Sequence, residues 1–269
     1  MSTDTLTPVE SAAPTRRVTF PNVVRSERLK FVSVRSNLLT LGGAALTLVV
    51  LGGLFAAFAG DPGDRRQALD PVSASFGGLT LVQIVVGVLG ALFVANEYAN
   101  GLIRTMFTAV PRRDAVVAAK ALVVGTATWA VMTVAAVATF LLGQALYSGD
   151  LATYGLLDDG VLRVVFGSGL YAAGIAVMGA ALGFILRSTA GAIATLVGVL
   201  MVAPALIGLL PGAVADPISR ILPGAAGSSF RELHVAADAL SPSAGLLVFA
   251  AWIVGLLAVA AWSVRRRGA

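Results

Sequence analysis

The feature that most constrains this chain is a set of six long apolar runs, at 38–59, 74–96, 115–143, 164–186, 190–210 and 244–264. Each meets the requirement of about 20 residues for a helix crossing a bilayer. A charge at mid-bilayer costs about 2.5–3.5 kcal/mol, and only the third run carries one. That residue is Lys120, near the start of its run, where a long side chain can reach the interface. The chain is 57% hydrophobic and 12% charged, about half the charged fraction of an ordinary soluble domain. A soluble core could not hide so much apolar surface. The expected fold is an all-α membrane protein with six transmembrane helices, and the transmembrane body spans 22–269.

Charge sets the expected orientation. With the amino terminus inside, the inner segments hold fourteen of the nineteen basic residues. The outer loops keep Arg65, Arg66, Arg163, Arg220 and Arg231 with most of the acidic residues. Six spans return the basic carboxyl terminus to the same side, as the positive-inside rule requires. A multi-pass protein of the plasma membrane, with both termini cytoplasmic, is expected. The net charge of +5 records topology and is no sign of nucleic-acid binding.

Chemistry is sparse. There is no cysteine, so disulfides and thiolate metal sites are excluded. The single histidine, His234, lacks co-ligands for a metal. No phosphate-binding loop of the form G-x-x-x-x-G-K-[ST] and no H-E-x-x-H occurs, and no Ser–His–Asp set can be placed at one depth. Acidic residues are absent from span interiors, where proton relays place them. Gln83 and Asn96 in the second run, with Thr126 and Thr128 in the third, read as helix–helix hydrogen-bonding groups. Pro204 interrupts the fifth run without a matching break in the other half, unlike the paired broken helices of many carriers. No catalytic residue and no metal site is assigned, and no cofactor is expected on this chain.

Residues 1–21 are rich in Ser, Thr and Pro and read as a disordered cytoplasmic tail, with no cleavable signal. The stretch 22–37 carries Arg25, Glu27, Arg28, Lys30 and Arg35 and reads as an amphipathic helix along the inner membrane surface. Val24, Phe31 and Val34 share its apolar face, while Leu29 and Val32 fall off it. Between the second and third runs lies Glu97-Tyr98-Ala99-Asn100-Gly101-Leu102-Ile103-Arg104-Thr105-Met106-Phe107-Thr108-Ala109-Val110-Pro111-Arg112-Arg113. At about 100° per residue, Tyr98 to Val110 forms an amphipathic helix. Asn100, Gly101, Arg104, Thr105 and Thr108 lie opposite Tyr98, Leu102, Ile103, Met106, Phe107, Ala109 and Val110. Glu97 is expected to cap its start, and Pro111 stops it.

The fourth and fifth runs are joined by little more than Arg187-Ser188-Thr189, which forces an antiparallel hairpin. Gly179 and Gly183 have the spacing of a close helix approach, within the chain or at a subunit interface. The stretch 211–243 is long, moderately apolar and broken by prolines. It is expected to form short helices dipping into the outer membrane face.

The run from Glu97 to Arg104, followed by Pro111-Arg112-Arg113 and Lys120, resembles the cytoplasmic signature of ABC exporter permeases of the six-span, type-2 class. The external Leu222-Pro223-Gly224-Ala225-Ala226-Gly227, followed by Leu240-Ser241-Pro242, is similar to that class's loop before the last span. The resemblance implies a type V exporter fold, with a connecting helix before the first span (Arg25, Glu27, Arg28, Lys30). It also implies a coupling helix at 97–113 that docks on a separate ATPase, with Glu97, Tyr98, Asn100, Gly101, Arg104, Thr108, Pro111, Arg112 and Arg113 as coupling residues. ATP and Mg would be bound by that partner, and a second permease subunit, identical or homologous, would complete the assembly with membrane lipid around it. The apolar lining suggests an amphipathic or lipid-like substrate, a drug or a peptide. The residues alone leave open an ATP-independent carrier or channel, or a membrane scaffold.

Overall fold

A computed structural model describes residues 19–58, 71–102, 112–147, 153–236 and 238–266. Most of the expected tail, and residues 103–111 of the expected coupling helix, lie outside the described residues. Among those described, the chain is helical and has no strand. The elements are α1 (Phe20–Ser33), α2 (Arg35–Phe58), α3 (Pro71–Ser75), α4 (Leu79–Ala99), α5 (Arg113–Leu146), α6 (Val161–Leu186) and α7 (Thr189–Val197). A π turn (Gly198–Val202) leads into α8 (Ala203–Ile207), followed by α9 (Gly212–Arg220), α10 (Pro223–Arg231) and α11 (Pro242–Arg266).

Six helices among the described residues are long and apolar enough to cross a membrane: α2, α4, α5, α6, the α7–α8 unit and α11. This is the six-span body expected from the apolar runs. At 1.5 Å per residue, the 34 residues of α5 extend about 51 Å. That exceeds the roughly 30 Å of hydrocarbon, so α5 projects beyond it.

The bundle is organised around α6, whose side chains are almost all buried. Lipid tails are as apolar as leucine, so helices in a bilayer associate through close packing. Glycine supplies that packing here. A Cβ on Gly90 would run into the carbonyl of Ala176, and one on Gly179 into the carbonyl of Gly87. One on Gly183 would lie 3.0 Å from Cβ of Val94. Gly179 and Gly183 therefore seat α6 against α4 within this chain.

The fifth span departs from a single regular helix. Pro204 has no N–H to give and its ring crowds the preceding turn. The chain widens just before it, and the Ala203 amide donates to the carbonyl of Gly198 in place of a regular partner. Arg187 closes α6 in the left-handed conformation, with φ 53°, and Ser188 caps α7 by accepting from the Gly191 amide at 3.3 Å.

The stretch 211–243 forms two short helices. On α10, Ala226, Gly227, Ser229 and Phe230 are buried. Gly227 lies on the ring of Tyr171, and Gly245 of α11 lies on the Ala226 carbonyl. Tyr171 is ten residues into α6, about 15 Å along its axis, so α10 enters the bundle. Arg163 reaches over it to the carbonyls of Ser229 and Leu233, each at 3.4 Å. Trp252 donates to the Ile221 carbonyl at 2.8 Å.

Candidate functional site

Basic residues and helix ends gather at one end of the bundle, called here the basic end. The carboxyl-terminal ends of α4, α6 and α11 meet the amino-terminal end of α5 there, with α1 packed alongside. Pro21 in the first turn suits the start of α1. The helix breaks at Val34, where the backbone turns extended. Asn37 spans the break by donating to the Phe31 carbonyl at 3.2 Å.

The inward face of α1 is Val23, Glu27 and Phe31, spaced i, i+4, i+8. This corrects the expected Val24–Phe31–Val34 face: a carboxylate sits in the middle of the buried stripe. Leu29 and Val32 are exposed, as expected for residues off that stripe.

Glu27 is buried because it meets Lys120 of α5, whose Nζ lies 2.7 Å from Glu27 Oε2 and 2.8 Å from Glu97 Oε1. The angles make these charge contacts, not well-directed hydrogen bonds. Lys30 completes the set, 2.8 Å from Glu27 and 3.5 Å from Glu97. Lys120 has 0% of its side chain exposed and Glu27 1%. The Lys120 ammonium also lies 4.2 Å from the centroid of the Phe93 ring, which packs edge-on to Phe31 at 5.2 Å. Two carboxylates and two ammonium groups thus join α1, α4 and α5 in a neutral cluster whose inner members are buried, while Lys30 at its edge is 38% exposed. Such a buried set adds little over an apolar replacement, but removing one of its buried members costs about 3–5 kcal/mol.

Three sequence expectations are corrected here. Lys120 does not extend to the interface; opposite charges on two neighbouring helices hold it inside. Glu97 does not cap a new helix, because α4 continues to Ala99 and places it in its own last turn. Tyr98 therefore also belongs to α4, and the helix expected from Tyr98 onward is interrupted. The chain leaves helical geometry at Asn100 and Gly101, where φ is 69°. Glycine adopts that conformation at no steric cost.

The other stems of the connecting segment are also tied down. Tyr98 packs edge-on to Phe184 of α6 at 6.4 Å, and the Arg187 guanidinium lies 5.3 Å from the centre of its ring. Arg113 donates to the Val264 carbonyl at 3.1 Å. Asp114 pairs with Arg265 of α11 through both carboxylate oxygens, Nε to Oδ1 at 2.7 Å. Both flanks of segment 103–111 are therefore fastened to α1, α6 and α11. Asn100 is exposed at the end of α4, and Arg112 precedes α5. Arg104, Thr108 and Pro111 fall outside the described residues. Arg25 and Arg28 are exposed on α1. Lys120, Asp114, Arg265 and Tyr171 were not among the expected site residues. A lone lysine inside an apolar run, preceded in sequence by the isolated Glu27 and Glu97, was the available signal.

Among the described residues no group of His, Cys, Asp and Glu could hold a metal ion. No curated protein matches the chain. The family model described as ABC-2 family transporter protein matches residues 23–204, more than half of the 269 residues and the whole of the cluster just described. This chain is a member of the ABC-2 family of transporter membrane proteins.

Proposed function

We propose that this chain is the transmembrane permease of an ATP-driven exporter whose ATPase is a separate polypeptide. On this reading the basic end faces the cytoplasm, both termini lie there, and segment 97–113 is the surface that the ATPase grips. ATP and Mg belong to that partner. A second permease, identical or homologous, completes the transport path, and the cargo is amphipathic or lipid-like, a drug or a peptide. Such a chain is not itself an enzyme.

The observation that carries the reading is the ion cluster of Glu27, Lys30, Glu97 and Lys120, in which Glu27 and Lys120 are buried. It joins both flanks of segment 103–111 to α1, so a push on that segment reaches α1 as well as the spans. Nucleotide-driven closure of the partner would move Asn100–Arg113 as a unit. Parting α1 from α5 would break the 2.7 Å contact between the buried Glu27 and Lys120, so α1 follows α4 and α5 and does not leave them cheaply. Gly101 supplies the bend, and Arg104, Thr108, Arg112 and Arg113 supply polar contacts to the partner.

The test is affinity purification from the native membrane. A stoichiometric partner carrying a phosphate-binding loop is expected, and Arg104→Glu is expected to reduce its recovery several-fold while the permease remains monodisperse. Transport by the chain alone in liposomes, with no ATPase present, would overturn the reading.

A further inference from the structure

Beside the ion cluster, between α1 and the last turns of α4, lies a cleft of about 590 Å3. One wall is a stripe on α1: Ser26, Lys30 and Ser33, at i, i+4, i+7. The facing wall carries Asn96 and Asn100, one turn apart at the end of α4. The cleft's apolar lining includes the buried Phe93 and the exposed Leu29 and Leu102. Each of those five polar side chains can donate a hydrogen bond, and one is a cation. Glu97 also lines the cleft, but its Oε1 is held 2.8 Å from Lys120. The cluster is neutral as a whole, so the exposed Arg25, Arg28 and Arg35 nearby make the local field positive. The groove between α5, α6 and α11, about 370 Å3, differs: no charged residue lines it.

Polar walls of donors with a cation, beside apolar side chains, at the basic end of a membrane bundle, match one chemistry. We propose that this cleft binds a glycerophospholipid. Its phosphate sits against Lys30, the serines and the Asn96 and Asn100 amides, and an acyl chain lies over Phe93 and Leu29. Seated there, the lipid rests directly on the Lys30–Glu97 contact, the longest in the cluster at 3.5 Å. It therefore props α1 against α4. The site rests on the proposed orientation only for which leaflet supplies the lipid.

The experiment uses the full chain in nanodiscs containing a trace of photoreactive phosphatidylglycerol, with crosslinked peptides mapped by mass spectrometry. Labelling is expected to concentrate in 26–37 and 92–102. The variant Asn96→Leu is expected to lower it about three- to tenfold, the loss of one hydrogen bond to an anion. Asn96 is exposed and stands outside both the ion cluster and segment 97–113, so the variant keeps the fold and the surface proposed for the ATPase. Ser33→Phe, which fills the cleft from the other wall, should do the same. Labelling spread evenly over the spans and unchanged in these variants would overturn the proposal. Competition by inorganic phosphate as strong as by unlabelled lipid would assign the site to a free anion and overturn it. Equal competition by diacylglycerol would remove the headgroup contact and overturn it too. Any of these results leaves recovery of the ATPase untouched, so the two readings fail separately.

Discussion

The basic end and the middle of this bundle are held together by opposite means. At the basic end, a lysine with no exposed surface sits between two carboxylates from two other helices. In the middle, α4 and α6 touch backbone to backbone through Gly87, Gly90 and Gly179, and the Tyr171 hydroxyl donates to Gln83 Oε1. Small-residue packing loses its contacts over fractions of an ångström, so it fixes one arrangement. An ion cluster tolerates more displacement, because Coulomb attraction falls slowly with distance, yet it resists complete separation. The packing of the middle is therefore the more sharply set by distance, and the contacts of the basic end are the more forgiving of displacement.

The largest expected effect breaks the middle. Gly90→Val would drive a side chain into the Ala176 carbonyl, and backbone on both sides leaves nothing flexible to yield. Overpacking ordinarily costs about 1–3 kcal/mol. A clash with main chain exceeds that, so little monodisperse protein should be recovered by size-exclusion chromatography in detergent. Normal recovery would mean that α4 and α6 can separate, and the contrast between the regions would fail.

Next comes the ion cluster. Lys120→Met leaves Glu27 and Glu97 buried with Lys30 as their remaining ammonium in the set, and should cost about 3–5 kcal/mol, seen as a lower thermal midpoint in detergent. The triple variant Glu27→Leu/Glu97→Leu/Lys120→Met should restore most of that stability, since apolar replacement of a whole buried ion set is often neutral or stabilising. On the proposed reading the triple variant is stable but uncoupled: ATPase recovered, transport lost. A triple variant that transports at the wild-type rate would show that the charges have no part in coupling.

Tyr171→Phe should be milder, about 1–2 kcal/mol, because it leaves the buried Gln83 carbonyl without its donor while the ring keeps its contacts. Gln83→Leu in the same background should recover part of the loss. Additive losses in the double variant would mean that the two side chains do not form a unit.

These regions differ in the same way in how far the sequence discloses them. Length and hydropathy were enough for six spans, since each crossing must be a long apolar helix with its backbone bonds satisfied internally. The Gly179/Gly183 spacing pointed to close approach but not to its partner, because a small residue marks where a helix can be touched and not by what. The partners lie on α4, more than eighty residues earlier. The cluster was harder to read. Lys120 and Glu97 flank one connecting segment, which is a visible hint, but Glu27 is ninety-three residues from Lys120, and only the fold brings it there. On α1 the apolar count misled, because a paired glutamate can occupy a buried position that hydropathy gives to valine. Tyr98 was misassigned for a related reason. Its apolar periodicity continues across Asn100-Gly101, whereas the backbone at Gly101 takes φ 69° and ends the regular helix.

The smallest expected effect tests whether every charge at the basic end counts alike. Asp114 and Arg265 join α5 to α11 with well-formed hydrogen bonds, yet their side chains are 43% and 67% exposed. Water and salt screen such a pair, so its contribution is small. Asp114→Ala should shift the thermal midpoint slightly, and raising the salt concentration should erase the difference. Lys120→Met should remain just as destabilising at high salt, because ions do not reach a side chain with no exposed surface. A shift from Asp114→Ala equal to that from Lys120→Met would place the α5–α11 pair in a dry environment, and the special standing of the α1–α4–α5 cluster would be lost.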